Sequence, residues 1–258
     1  MVCERCDGKS VFLKQQALAI LEQKGLEPSV FVRADSRTRL ELIREHFHLD
    51  EVSSIDTREI LPNAPKNLGL IIIKPEMVQA QCVMEQYLTG QIGVKILSST
   101  DFIYKPQEYW ALHGAALADY HDLFPHGALL FLLFVTAPSR LVTFEHFTAL
   151  EYQEILRKKH SGVNVEPLRE GDDLQAIFTK YFVRGGPDSI RKTVCGPEIA
   201  RTGLLSMDSN SCPAICWDFT GSFGQRTTDQ NARTFNGIHS PRDRSELLLD
   251  LSVLKRLL

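Results

Sequence analysis

From Asn67 onward the chain alternates short apolar runs with amphipathic stretches, and the order of that alternation restricts the fold more than any other feature. The apolar run Gly69 to Ile73 reads as a strand. Pro75 and Glu76 open a helical period that lasts to Leu88, and Val94 to Tyr104 reads as a second strand. A short helical stretch, Gln107 to Ala118, leads to the strongly apolar segment Ala128 to Thr136, which suits a buried strand, and then to a long helix from Ser139 to Lys159. With a last strand ahead of His239 the order becomes βαββαβ. That is the split βαβ arrangement of ferredoxin-like domains, an α+β class with helices on one face of an antiparallel sheet.

Ahead of this core the pattern predicts a small α/β or helical extension over residues 1–65. Val11 to Gln23 has an amphipathic helical period, Ser29 to Val32 is a short β-rich run, and Arg37 to Phe47 is a second helix in which charges alternate with Leu40, Leu42 and Ile43. Thr57 to Asn67, with Pro62 and Pro65, reads as the linker into a domain spanning 66–258. Within that domain the turn-forming groups Gly185-Gly186-Pro187, Gly196-Pro197, Asp208-Ser209-Asn210-Ser211 and Gly221-Ser222-Phe223-Gly224 mark an insertion over about 161–234. A loop of that length in a compact domain usually serves function or is partly mobile.

Composition removes several function classes. The chain of 258 residues, 43% hydrophobic and 24% charged, has the material for one large or two small cores. Its net charge of -3 supplies no basic surplus of the kind that nucleic-acid binders carry. No apolar run is long enough to cross a bilayer, and the mixed-charge start Met1-Val2-Cys3-Glu4 lacks an export signal, so a cytoplasmic protein without membrane or nucleic-acid partners is expected. The six cysteines are then expected to be thiols. Cys3-x-x-Cys6 and Cys212-x-x-x-Cys216 have the close spacing from which a zinc site takes thiolates in pairs; the plainer alternative is two independent pairs of reduced thiols. There is no Walker-type phosphate loop, Gly221-Ser222-Phe223-Gly224 falls short of a dinucleotide fingerprint, and no nucleophile elbow is present.

The candidate chemistry lies in Asn236-Gly237-Ile238-His239-Ser240-Pro241-Arg242-Asp243, just before an apolar helix. A neutral histidine ring nitrogen can attack phosphorus near pH 7 when a hydrogen bond orients the other nitrogen. Asp243, Glu246 and Asp250 are all available to make that bond, and spacing does not choose among them. The structural alternative makes His239 a surface cap for a helix starting at Ser240, with Pro241 at its first position.

Four segments in order resemble those of nucleoside diphosphate kinases: Ile73-Lys74-Pro75-Glu76 after the first strand, Tyr109 in the helical hairpin, Pro187-Asp188-Ser189-Ile190-Arg191, and Asn236-x-x-His239. The resemblance runs from about Asn67 to the C-terminus. It implies that His239 takes the γ-phosphoryl group of ATP and passes it to a nucleoside diphosphate or related acceptor. It also implies that Lys74 and Arg191 neutralise phosphate oxygens, that Tyr109 packs beside Lys74 and the histidine, that Asn236 bonds the ribose, that Mg²⁺ arrives with the nucleotide, and that the protein forms a homo-oligomer. The plain structural readings are a strand-end lysine, a hairpin tyrosine and a salt-bridging arginine. A long stretch of chain separates Arg191 from Asn236, where family members have a short loop, so Arg226 in Gln225-Arg226-Thr227-Thr228 is the second candidate for the phosphate. The family's Arg-x-x-x-Gly-x-Thr-x-Pro and Arg-Pro-Phe-Phe segments have no clear counterpart. Two alternatives follow from those departures: a nucleotide-binding module without turnover, or another phosphate chemistry with His239 as a proton relay.

Overall fold

The computed structural model describes residues 19, 21–23, 25–49, 64–75, 78, 81–119, 127–159, 166–185, 189–190 and 238–257. In chain order the elements are α1 (Pro28–Arg33), α2 (Ser36–His46), β1 (Leu68–Ile73), α3 (Gln81–Gln86), β2 (Lys95–Phe102), α4 (Pro106–Asp119), α5 (Gly127–Phe134), β3 (Ser139–Glu145), α6 (Ala149–Lys159), α7 (Leu174–Phe178), β4 (Ile238–His239) and α8 (Arg244–Val253). π-Helical turns extend α3 over Tyr87–Ile92 and α7 over Thr179–Arg184. Packing separates the described residues into two units, one from 1–55 and 103–139, the other from 56–102, 140–198 and 236–258.

The first unit is helical. Asp35 caps α2 by accepting from the Thr38 N–H at 2.8 Å, and Leu40, Ile43 and Phe47 form its buried stripe at helical spacing. The Ser29–Val32 run, expected as a strand, is helical. Pro28 at the first helical position presets the turn, Phe31 is fully buried, and Arg39 of α2 donates to the Phe31 carbonyl at 2.9 Å and covers its ring. Tertiary anchoring outweighs the β preference of Val30 and Val32 here. Of the expected Val11–Gln23 helix, Ala19 and residues 21–23 are described and helical; the rest lies outside the described residues. Tyr104, just before α4, packs with Tyr109 of α4 and Phe134 of α5, and Tyr109 packs with Phe131 and Phe134, with ring centroids 4.7 to 5.9 Å apart.

The second unit holds a four-stranded sheet in the order β2-β3-β1-β4, with β1 antiparallel to both β3 and β4. This is an α+β architecture, and the order agrees with a split βαβ arrangement. The third strand is not the expected one. Ala128–Thr136 is helical through Phe134 as part of α5, and the strand falls on Ser139–Glu145, the first part of the stretch expected as one long helix. An apolar run of this length has no period that distinguishes a buried helix from a strand, and Ala, Leu and Phe in Gly127–Phe134 carry no β-branch to oppose helix formation. The break before α6 is a capping box: the Thr148 N–H donates to Glu151 Oε2 at 2.8 Å, and the Glu151 N–H donates back to Thr148 Oγ1 at 3.3 Å.

Two features hold this sheet in register. Gly69 of β1 faces Phe144 of β3, and a Cβ on Gly69 would come within 2.4 Å of the Phe144 ring and 2.8 Å of His146 Nε2. The missing side chain lets the Phe144 ring lie over β1 and reach Phe178 at a centroid distance of 4.7 Å. At the other end of β3, Arg140 grips Asp101 of β2 bidentately, at 2.6 and 2.9 Å, and reaches Glu85 of α3 at 3.3 Å. That hydrogen-bonded pairing holds the Asp101 carboxyl below its usual pKa and raises that of the guanidinium. No helix among the described residues is long and apolar enough to cross a membrane.

Candidate functional site

β4 ends at His239 because Pro241 follows. Ile238 pairs with Ile73 and His239 with Ile72, and a proline has no N–H with which to continue the ladder. The chain then turns into α8. Asp243 caps that helix by accepting from the Glu246 N–H at 2.9 Å, while Glu246 accepts from the Arg242 N–H at 2.7 Å. The backbone bond from Glu246 is the chief reason the Asp243 carboxyl is held below its usual pKa. The helix therefore starts at Arg244 with Asp243 as its cap, and the alternative in which His239 caps a helix starting at Ser240 is overturned.

Of the three acids that sequence spacing left open, Asp250 is the one that faces His239. Leu247, Asp250, Leu251 and Leu254 make the inward stripe of α8 and its end, so the carboxylate is carried into the core at 2% exposure. Its Oδ2 lies 2.6 Å from Nε2 of His239, whose side chain is 17% exposed. A buried carboxylate requires a donor, so the Nε2–H tautomer is assigned to the neutral ring, and Nδ1 carries the lone pair. This supplies the orienting bond that nucleophilic or proton-transfer chemistry at an imidazole needs.

Lys74 directly follows β1 and is half-buried. Adjacent strands and the rise per residue put its Cα roughly 8 Å from that of His239, at the same end of the sheet. Tyr109 lies in α4 of the first unit, 5% exposed, with its ring against Tyr104, His113, Phe131 and Phe134. Asn236, Arg191, Arg226 and the cysteines Cys3, Cys6, Cys212 and Cys216 lie outside the described residues. Cys82, which is described, is an exposed free thiol. Among the described residues no group of three or more His, Cys, Asp or Glu side chains could hold a metal ion.

Sequence reasoning missed a buried polar network beside the pair. His146 Nδ1 lies 2.7 Å from the Tyr152 hydroxyl and its Nε2 lies 3.1 Å from Gln175 Oε1. Gln175 Oε1 also accepts from the Leu70 N–H, so it is an acceptor on both sides, and His146 must donate from Nε2 and accept at Nδ1 from the tyrosine. Only the neutral imidazole satisfies every partner. Burial pushes the His146 pKa from 6.5 down to about 4, with the Gln175 bond opposing the shift in part; burial likewise pushes the Tyr152 phenol up. No motif points to this network; Gln175 and Thr179, four apart on one helix, were the available signal.

A pH dependence of stability follows. Between about 4 and 6.5 the unfolded chain holds a proton on His146 that the folded chain does not, so stability rises with pH through that window. The contribution is fully present above 6.5 and lost as pH falls toward 4, amounting to roughly 3 kcal/mol for a shift of this size. Urea unfolding at pH 7 and at pH 4.5 should show the loss, and His146→Gln should flatten that part of the profile. An unchanged slope in the variant would remove His146 as its source.

The fold and this geometry define an α+β protein whose four-stranded sheet brings an oriented imidazole and a lysine to one end of neighbouring strands. No protein-family model and no curated protein matches the chain. Among solved structures it is similar to an orthorhombic crystal form of the Aquifex aeolicus nucleoside diphosphate kinase, at 14% identity over 73% of this chain and 94% of that one, with a TM-score of 0.33. A likeness at that level carries no inference about activity.

Proposed function

We propose that the protein is a phosphotransferase of the nucleoside diphosphate kinase type, working through a phosphohistidine at His239. The observation that carries the reading is the His239–Asp250 pair: Nε2 is engaged by a buried carboxylate at 2.6 Å, in the Asn236-x-x-His239 segment that resembles the family's active-site segment. In the first half-reaction the Nδ1 lone pair forms a bond to the γ-phosphorus of ATP. The bond from that phosphorus to the bridging oxygen breaks, and ADP leaves with its electrons. The positive charge gained by the ring is offset by Asp250 through the Nε2–H, and Lys74 neutralises phosphate oxygens. In the second half-reaction a terminal phosphate oxygen of a nucleoside diphosphate, or a related acceptor, attacks the same phosphorus and the pair of electrons returns to Nδ1. Mg²⁺ would be held by the nucleotide's phosphates and water, and it supplies neutralisation of their charge.

The test is to incubate the protein with γ-labelled ATP and Mg²⁺ and quench in alkali. An acid-labile, alkali-stable label is expected, discharged by added nucleoside diphosphate and absent in His239→Ala. Label retained in folded His239→Ala would overturn the assignment. Nucleotide binding with no label in the wild type would leave a binding module in place of an enzyme.

A further inference from the structure

We infer that Gln175 and Thr179 are positioning residues for His239, holding the two residues that follow it in the chain. The starting point is the early end of β4. Extending the register from Ile72 opposite His239 would set Pro241 opposite Leu70, where a strand partner should take the Leu70 N–H and C=O. Pro241 has no N–H to give. The side-chain carboxamide of Gln175 takes its place: Leu70 N–H donates to Oε1 at 3.2 Å and Nε2 donates to the Leu70 carbonyl at 3.2 Å. One amide thus continues the ladder of β1 beyond the point where the short strand stops.

The same Nε2 lies 3.2 Å from Ser240 Oγ and 3.3 Å from the Pro241 carbonyl. Thr179, one turn further along the helix, brings its hydroxyl within 2.7 Å of both. An amide nitrogen has two hydrogens, which limits how these contacts are shared. The arrangement that satisfies every group sends Nε2–H to Leu70 O and Ser240 Oγ, the Ser240 hydroxyl to Thr179 Oγ1, and the Thr179 hydroxyl to the Pro241 carbonyl. Gln175, Thr179 and Ser240 are each 2% exposed, so water does not replace a lost partner. The helix bearing them is itself tied to α8: Asp173 caps α7 through the Ala176 N–H at 3.0 Å and accepts from the Arg244 N–H at 2.8 Å.

His239 is therefore held from two directions. Asp250 fixes the ring through Nε2, and the Gln175–Thr179 pair fixes the backbone that leaves its Cα. A nucleophile displaced by about 1 Å loses rate on the order of a hundredfold, so removing the backbone support should act on turnover rather than on nucleotide affinity. The rate part of this inference rests on the phosphohistidine reading; the geometric part does not.

The test uses full-length protein with Thr179→Val, which keeps the shape and deletes the hydroxyl, its conservative counterpart Thr179→Ser, and Gln175→Leu. Two readouts are taken: the ¹⁵N signals and protonation midpoint of the His239 ring by NMR, and labelling by γ-labelled ATP at several nucleotide concentrations. Thr179→Val should shift the His239 ring signals and slow labelling by roughly tenfold or more at saturating ATP, with half-saturation unchanged, and Thr179→Ser should restore both. Gln175→Leu should act in the same direction and more strongly; if it does not fold, Thr179→Val decides alone. Folded Thr179→Val with wild-type ring signals overturns the inference. A wild-type protein that takes no label sinks the phosphohistidine reading, and the ring signals still decide this one.

Discussion

On the proposed phosphohistidine mechanism, Asp250→Ala should slow phosphorylation of His239 by roughly a hundredfold or more, which is the usual scale for losing a group that handles a proton or orients a nucleophile. The carboxylate is buried and lies 2.6 Å from Nε2, so two effects are removed together. Without it the imidazole is no longer held in the tautomer that leaves the lone pair on Nδ1. The positive charge that develops on the ring as the phosphorus–nitrogen bond forms is also left uncompensated in a site that excludes much of the water. Asp250→Asn separates the two: its side-chain oxygen can still accept from Nε2–H, while the charge is gone, so its rate should fall between wild type and Asp250→Ala. Rapid-quench labelling gives the rates, and a melting curve shows whether each variant is folded. Wild-type labelling by folded Asp250→Ala would show that the pair has no part in the reaction.

The second large effect is on stability. Gly69→Ala should lower the unfolding free energy of the sheet by about 3 kcal/mol, at the upper end of the usual cost of overpacking. The new Cβ would stand 2.4 Å from an edge carbon of the Phe144 ring, which is fully buried and packed on His146 and Phe178. The ring cannot withdraw without disturbing Phe178, and the glycine lies in one of the two central strands, where backbone movement would break pairing with β3. Urea unfolding measures the loss. A smaller side chain at the opposing position should relieve part of it, so Phe144→Leu combined with Gly69→Ala should be less destabilising than the sum of the two alone. Strict additivity would mean that the clash is absorbed elsewhere.

The order of elements was legible where each carries a local signal of its own. Gly69 to Ile73 is a strand in the sheet, Gln107 to Ala118 is helical, and a strand does contain His239. The errors fell on segments whose local signals conflict with their surroundings. Gly127–Phe134 is apolar on every side, so it has no period that reports a helix; its unbranched residues permit one, and Phe47, Tyr109 and Trp110 pack against Phe131 within it. The strand that replaces it was concealed in a stretch read as continuous helix. Its signal was nevertheless present, because Thr148 and Glu151 have capping-box spacing and mark where α6 begins.

At the candidate site, contacts local in the chain place an imidazole at a strand end before an apolar helix, because Pro241 stops pairing and Asp243 with Glu246 starts the helix. The inward face of that helix was also implicit in Leu247, Leu251 and Leu254, which carry Asp250 with them. Long-range packing brings Asp250 rather than Asp243 or Glu246 to the ring, buries the neutral His146 against Tyr152, and sets Gln175 along β1 beside Ser240 and Pro241. The physical reason is range. Caps and strand ends are set by backbone groups a few residues apart, whereas the partners of a buried polar side chain are set by which distant segments exclude water together, and no spacing along the chain encodes that.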